Sequence, residues 1–273
     1  MKKFKVGIQL YSIREQVEQD MDKALAQVSA MGYDCVEFAG FFGKTAQEVK
    51  ALLEKHSLTA VSVHQGPRLW QEQGDKAIDY LKEIGVSYCA IPSYPVDEFL
   101  NNWDATIEKF TDYGKALSDA GIKLLYHNHD FEFNTIDGEF IFDKLYSTIP
   151  QTLLNPQIDT CWVHYAGQNP AEYVKKYQGR VEVVHLKDFV CEKLGAGPVY
   201  ELIEDKSKKM DKTESGFKFK PVGEGIQDWE AILTACEAAG TECVIVEQDN
   251  WYDEDAMDCA KRSREYLKKT FGI

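Results

Sequence analysis

Short β-branched and apolar runs alternate with amphipathic stretches from one end of this 273-residue chain to the other, and no other feature limits its fold as strongly. Eight runs read as strands, near residues 5–11, 34–38, 59–64, 86–91, 122–127, 154–159, 181–186 and 242–247. Between most of them apolar residues recur at 3.6-residue spacing, the period of a helix with one buried face. Ala24, Leu25, Val28 and Met31 form such a face within Met21 to Met31. The pattern returns over Ala46 to Lys55, Gly74 to Ile84, Trp103 to Ala120 and Asp228 to Ala239. Gly32, Gly85, Gly121 and Gly240 each stand just ahead of a strand, where glycine accepts the left-handed conformation that ends a helix. Strands alternating with helices imply parallel strands and right-handed crossovers. Eight such units in a chain of this length predict a single (β/α)8 TIM barrel over residues 1–273, with no internal domain boundary.

One stretch breaks the rhythm. Residues 188–220 are polar, rich in Lys and Glu, and follow the seventh strand at the end where such barrels keep their active sites. The stretch reads either as a lid or partner contact at the catalytic rim, or as a solvated insertion. The chain carries 31 Lys and Arg against 45 Asp and Glu, a formal net charge of −14. Such a surface repels phosphate backbones and anionic lipid, so neither nucleic acid nor membrane is an expected partner. No apolar run reaches the roughly 18–20 residues of a membrane span, and no apolar segment follows the basic N-terminal residues as in a signal peptide. A soluble, cytoplasmic protein is the expectation. The seven cysteines include no Cys-x-x-Cys pair, and several lie in apolar runs, as Cys89 does. They read as reduced, buried small hydrophobes.

The strand ends carry the chemistry. The second run ends on Glu37-Phe38, the third on His64, and the fifth leads into Tyr126-His127-Asn128-His129-Asp130-Phe131-Glu132. The sixth ends on Asp159, the seventh on His185 followed by Lys187-Asp188, and the eighth on Glu247. Carboxylates converging on one rim repel one another unless a positive charge lies between them. A divalent cation supplies it, and a mixed imidazole and carboxylate set suits Mn, Co, Zn or Fe better than Mg. No phosphate-binding Gly-rich loop, dinucleotide fingerprint or Gly-x-Ser-x-Gly elbow occurs. Arg14 and Arg68 are the arginines nearest the expected rim, so a neutral sugar fits at least as well as a phosphorylated one.

The segments that carry these residues resemble the sugar phosphate isomerase/epimerase group of the xylose-isomerase-like TIM-barrel superfamily. They are Val6-Gly7-Ile8-Gln9-Leu10-Tyr11-Ser12, Gly32-Tyr33-Asp34-Cys35-Val36-Glu37, Ser62-Val63-His64, the stretch from Tyr126 to Glu132, Ile158-Asp159-Thr160, Val184-His185-Leu186-Lys187-Asp188, Val222-Gly223-Glu224-Gly225 and Val246-Glu247-Gln248. The resemblance covers essentially the whole chain. It implies one divalent metal ion held by Glu, Asp, His and Glu from successive late strands. Asp159, His185 and Glu247 match three of those positions; at the first the sequence departs, with His127 or Tyr126 where the group has glutamate. Glu132, or else His127 or His129, is the implied fourth ligand; a site of three ligands is the remaining alternative.

The implied activity is isomerisation or epimerisation of a sugar or keto-sugar through an enediolate. The alternatives are β-elimination from a keto-sugar or keto-inositol by a lyase or dehydratase on the same metal, and a non-catalytic sugar-binding barrel. Glu247, Glu132, His127 or His129 would move the proton. Lys187 would hold a substrate oxygen, or else pair with Asp188. Glu37 and His64 would bind sugar hydroxyls, and Trp162 and Trp251, with Phe38, would pack on the ring. The implied partner is a small sugar-like molecule, and a homo-oligomer is compatible with the same fold.

Overall fold

The computed structural model of this protein describes residues 4–195 and 215–273. Eight parallel strands close into a barrel in chain order: β1 (Lys5–Gln9), β2 (Cys35–Phe38), β3 (Thr59–His64), β4 (Tyr88–Ile91), β5 (Lys123–His127), β6 (Asn155–Asp159), β7 (Val183–Leu186) and β8 (Cys243–Val246). Strand β8 closes on β1, with Val6 beside Val244 and Gly7 beside Ile245. The first run was expected to continue to residue 11, but it stops at Gln9. The Gln9 side chain accepts a hydrogen bond from the Tyr11 backbone N–H, and the chain turns into a short 3-10 helix over Leu10–Ile13.

The expected helices form over Met21–Met31, Ala46–Lys55, Asp75–Ile84, Trp103–Asp119 and Trp229–Ala239. Local chemistry fixes their ends. Thr45 and Glu48 make a reciprocal capping box ahead of Ala46–Lys55. Asp20 accepts from the Lys23 N–H at the start of Met21–Met31, and Gly32 ends that helix in the left-handed conformation. No helix among the described residues is long and apolar enough to cross a membrane. All seven cysteines are free thiols, and six are buried.

Residues two apart on a strand face the same side. Along the barrel interior this makes two layers. The lower is apolar, with Cys35, Val61, Leu125, Val183, Cys243 and Ile245 in one buried cluster. The upper is polar, and follows two residues later on the same strands as Glu37, His127, His185 and Glu247. Gly7 belongs to the lower layer. A methyl group there would lie 2.6 Å from Ile245 Cδ1 and 2.8 Å from Cys35 Sγ, so β1 approaches its neighbours only because it carries no side chain at that point.

Both ends of the stretch 188–220 form regular structure. Asp188–Val190 pairs antiparallel with Lys218–Lys220, so both of its ends belong to one ribbon. The expected rim lid falls mainly on residues 196–214, outside the described residues. Asp188 ties the ribbon to the turn that follows. Its carboxylate accepts from the backbone N–H groups of Gly223, Gly225 and Gln227 at 2.9, 3.1 and 3.3 Å, and from the Trp229 indole N–H at 2.9 Å. A methyl at Gly225 would lie 2.1 Å from Asp188 Oδ1 and 2.4 Å from the Phe189 carbonyl oxygen. Gly225→Ala is therefore expected to lower the unfolding free energy by about 1–3 kcal/mol in urea titrations. An unchanged midpoint would show that the turn rearranges at no cost.

Candidate active site

The polar layer opens upward into a pocket of about 440 Å³ lined by Tyr11, Ala39, Gly40, His64, Pro92, Ser93, His127, His129, Lys187, Glu247 and Asp249. At its base His127, Asp159, His185 and Glu247, all buried, each place one donor atom within 4.8 Å of the others. His127 Nε2 lies 3.6 Å from Asp159 Oδ2 and 3.9 Å from Glu247 Oε2, too far for hydrogen bonds. Two ligands that each stand about 2.0–2.2 Å from a common ion in a tetrahedral site are about 3.3–3.6 Å apart, close to the 3.6 Å between His127 and Asp159. Spacing, burial and the mixed imidazole and carboxylate set therefore fit a divalent transition metal. His127 Nδ1 has no hydrogen-bond partner among the described residues.

Lys187 follows His185 on the same inward side. Its ammonium lies 3.1 Å from Asp159 Oδ2, 3.0 Å from Glu247 Oε2 and 3.0 Å from Asp249 Oδ2. His185 stands between two carboxylates, with Nδ1 2.8 Å from Glu247 Oε2 and Nε2 2.7 Å from Glu37 Oε1. These arrangements set the charges. Burial alone would drive Glu247 toward its neutral form, but Lys187 and His185 outweigh it and hold the carboxyl well below the usual range. Burial likewise disfavours the Lys187 cation, and Asp159, Asp249 and Glu247 reverse that. For His127 and His129 burial wins, and both imidazoles are held well below their ordinary range, hence neutral at pH 7. Neutral imidazoles are what metal ligation and base chemistry require.

A family model described as a xylose isomerase-like TIM barrel matches residues 25–270. This chain belongs to that family. Among curated proteins it is similar to the inosose dehydratase of Clostridium beijerinckii, 24% identical over 282 residues, covering 94% of this chain and 91% of that protein. It is also 24% identical to the inosose dehydratase of Clostridium perfringens over 277 residues, covering 92% and 90%. Among solved structures, a sugar phosphate isomerase/epimerase from Parabacteroides distasonis superposes with a TM-score of 0.78 at 21% identity, over 99% of this chain and 96% of that one. The IOLI protein, crystallised with a bound zinc atom, superposes with a TM-score of 0.70 at 16% identity, over 99% and 100%.

Within this xylose isomerase-like barrel the structure brings together most residues that the sequence singled out, and moves several. His64, His127, His129, Lys187 and Glu247 line the pocket. His127, not Glu132, stands with Asp159, His185 and Glu247. The Glu132 carboxylate instead accepts from the Tyr126 hydroxyl at 2.5 Å and from the His129 backbone N–H at 2.7 Å, and burial pushes it up to about 8. Lys187 does not pair with Asp188: neighbouring residues on an extended chain face opposite sides, so Lys187 enters the barrel and Asp188 the turn at residues 223–227.

Trp162 and Trp251 are not among the pocket-lining residues. Trp162 is fully buried and stacked on Phe217, with ring centroids 5.7 Å apart. Trp251 lies under the Arg14 guanidinium at 4.5 Å. Phe38 is buried in the main core. Arg14 is also tied to the Tyr11 and Asp249 carbonyl oxygens, and Arg68 pairs with Glu72. Glu37 lies below the pocket, 0% exposed.

Asp249, Gln9 and Gln157 escaped the sequence reading. Asp249 follows Glu247 by two residues, and the period of an extended chain would have placed both on one side. Gln9 is a polar residue in an otherwise apolar run, which is itself a sign that it faces something polar, whereas Gln157 lies between Asn155 and Asp159 and gave no such signal.

Proposed function

We propose that this protein uses a divalent metal ion to enolise a small, uncharged polyhydroxy ketone, and that the reaction proceeds by loss of a β-hydroxyl as water. The observation that carries the proposal is the buried donor set of His127, Asp159, His185 and Glu247 at the base of a sugar-sized pocket. A metal held there would act as a Lewis acid toward the carbonyl and its neighbouring hydroxyl.

The chain's own groups do the rest. His129 lines the pocket as a neutral imidazole and stands outside the donor set, which suits it to take the proton next to the carbonyl. The Lys187 ammonium, steadied by three carboxylates, faces the same space as a fixed positive charge, and the proton that His129 takes can pass to the departing hydroxyl, which leaves as water. No pocket-lining cation among the described residues is spare for a phosphate, since Lys187 is already committed. Similarity to inosose dehydratases over more than nine tenths of the chain supports elimination as the exit.

Isomerisation or epimerisation is the second reading. It is favoured by the fold shared with the sugar phosphate isomerase/epimerase, and differs in that the proton returns to carbon and no C–O bond breaks.

The test is incubation of the protein with Mn²⁺, Co²⁺ or Zn²⁺ and a panel of keto-inositols and keto-sugars in D₂O, read by mass spectrometry. Product lighter by one water supports elimination. Unchanged mass apart from deuterium supports the second reading. Absence of metal binding by wild type, beside a Glu247→Ala, His185→Ala control, would overturn both.

A further inference from the structure

Glu37 is a buried charge with no face on the pocket, and four side chains from four other strands converge on it. Its Oε1 accepts from Gln9 Nε2 at 2.7 Å and lies 2.7 Å from His185 Nε2 and 3.0 Å from His64 Nε2. Its Oε2 accepts from Gln157 Nε2 at 2.6 Å. Gln157 in turn presents its Oε1 to His64 at 2.8 Å. A fully buried carboxylate costs several kcal/mol of desolvation unless its lone pairs are well used, and here β1, β3, β6 and β7 each supply a partner. Glu37 is not among the residues that line the pocket, which sets aside the expected role in binding sugar hydroxyls.

The informative partner is His185. Its two ring nitrogens look opposite ways: Nε2 makes a 2.7 Å ion-pair contact with Glu37 Oε1 without an aligned hydrogen bond, and Nδ1 is hydrogen-bonded to Glu247 Oε2 at 2.8 Å on the side of the donor set. An imidazole that ligates a metal through one nitrogen is oriented by the acceptor its other N–H finds, and that acceptor fixes its tautomer.

We infer that Glu37 is the positioning residue of the metal centre, holding His185 with its proton on Nε2 so that Nδ1 is the ligating atom. The inference rests on the metal-site reading above and extends it to a residue that touches neither metal nor substrate. Gln9 and Gln157 then serve one step further out, keeping the Glu37 carboxylate from turning.

The test reads metal binding rather than turnover. Zinc affinity is measured by competition with a chromophoric chelator for wild type, Glu37→Gln and Gln9→Leu, each first checked for native circular dichroism. Glu37→Gln is expected to weaken zinc binding by about 10–100-fold, and Gln9→Leu to weaken it less. Because Glu37→Gln removes a buried charge and can fail to fold, a second readout uses wild type alone. Two-bond ¹H–¹⁵N correlations of the zinc-loaded protein should show His185 protonated at Nε2 and metallated at Nδ1. Equal affinity in Glu37→Gln, or zinc on Nε2 of His185, overturns the inference while leaving the metal site intact. Failure of wild type to bind metal overturns the site itself and the inference with it.

Discussion

In the His129→Gln variant, exchange of a substrate carbon-bound proton with D₂O is expected to fall by about 10²–10⁴-fold, the usual contribution of a positioned general base, while bound metal stays at the wild-type level. Glutamine keeps polarity and approximate reach but cannot take a proton. The imidazole is stacked on Phe131, with centroids 5.6 Å apart and planes within 6°, and meets the His127 ring edge-on at 5.1 Å. It is therefore held in one orientation beside the donor set. The contact between residue 129 and Glu132 runs through the backbone N–H, so the substitution leaves it in place. Exchange at the wild-type rate would move the base to Glu247 or Asp249, the two pocket-lining carboxylates. Loss of metal together with exchange would make His129 a ligand.

Lys187→Met is expected to destabilise the metal-free protein by about 3–5 kcal/mol in urea unfolding, the cost of leaving buried charges without their partner. Asp159, Glu247 and Asp249 all lie within 3.1 Å of the Lys187 ammonium. Methionine fills similar volume beside Trp162 and Phe219, so packing changes little. A divalent ion can replace the lost positive charge. Saturation at 100 times its dissociation constant adds about 2.7 kcal/mol to a protein that binds it only when folded. The variant should accordingly depend on metal for stability more steeply than wild type. Equal stability with and without metal would mean that the three acids take up protons rather than repel.

The barrel was legible because period and punctuation agree: each of the eight apolar runs became a strand, and helix stops such as Gly32 and Gly240 lie where a left-handed residue is needed. Residue types at the strand ends were legible too, since β strands end where their charges begin. Depth and direction were not. Glu37 and Glu247 both read as strand-terminal acids. Glu37 falls within its strand and is closed over, whereas Glu247 lies just past Val246 and reaches the pocket. Glu132 was the glutamate nearest the slot that the resemblance left without one, yet the turn after β5 delivers its carboxylate to Tyr126 and the His129 backbone. Trp162 lies just past its strand like a ring-stacking residue, but the aromatic cluster of Phe189, Phe217 and Phe219 claims it. The outcomes for Glu37 and Trp162 depend on contacts between segments far apart in sequence, and that for Glu132 on the shape of its own turn; periodicity encodes neither.

The apolar lower layer has a kinetic meaning. With Leu125, Val183, Cys243 and Ile245 packed across the barrel beneath the acids and imidazoles, the site is a blind well with one mouth. Whatever enters must turn over or leave by the same door, so a lingering product excludes the next substrate molecule. In many enzymes release rather than chemistry limits the rate, and in a pocket of this shape the segments around the mouth are the ones that would set it.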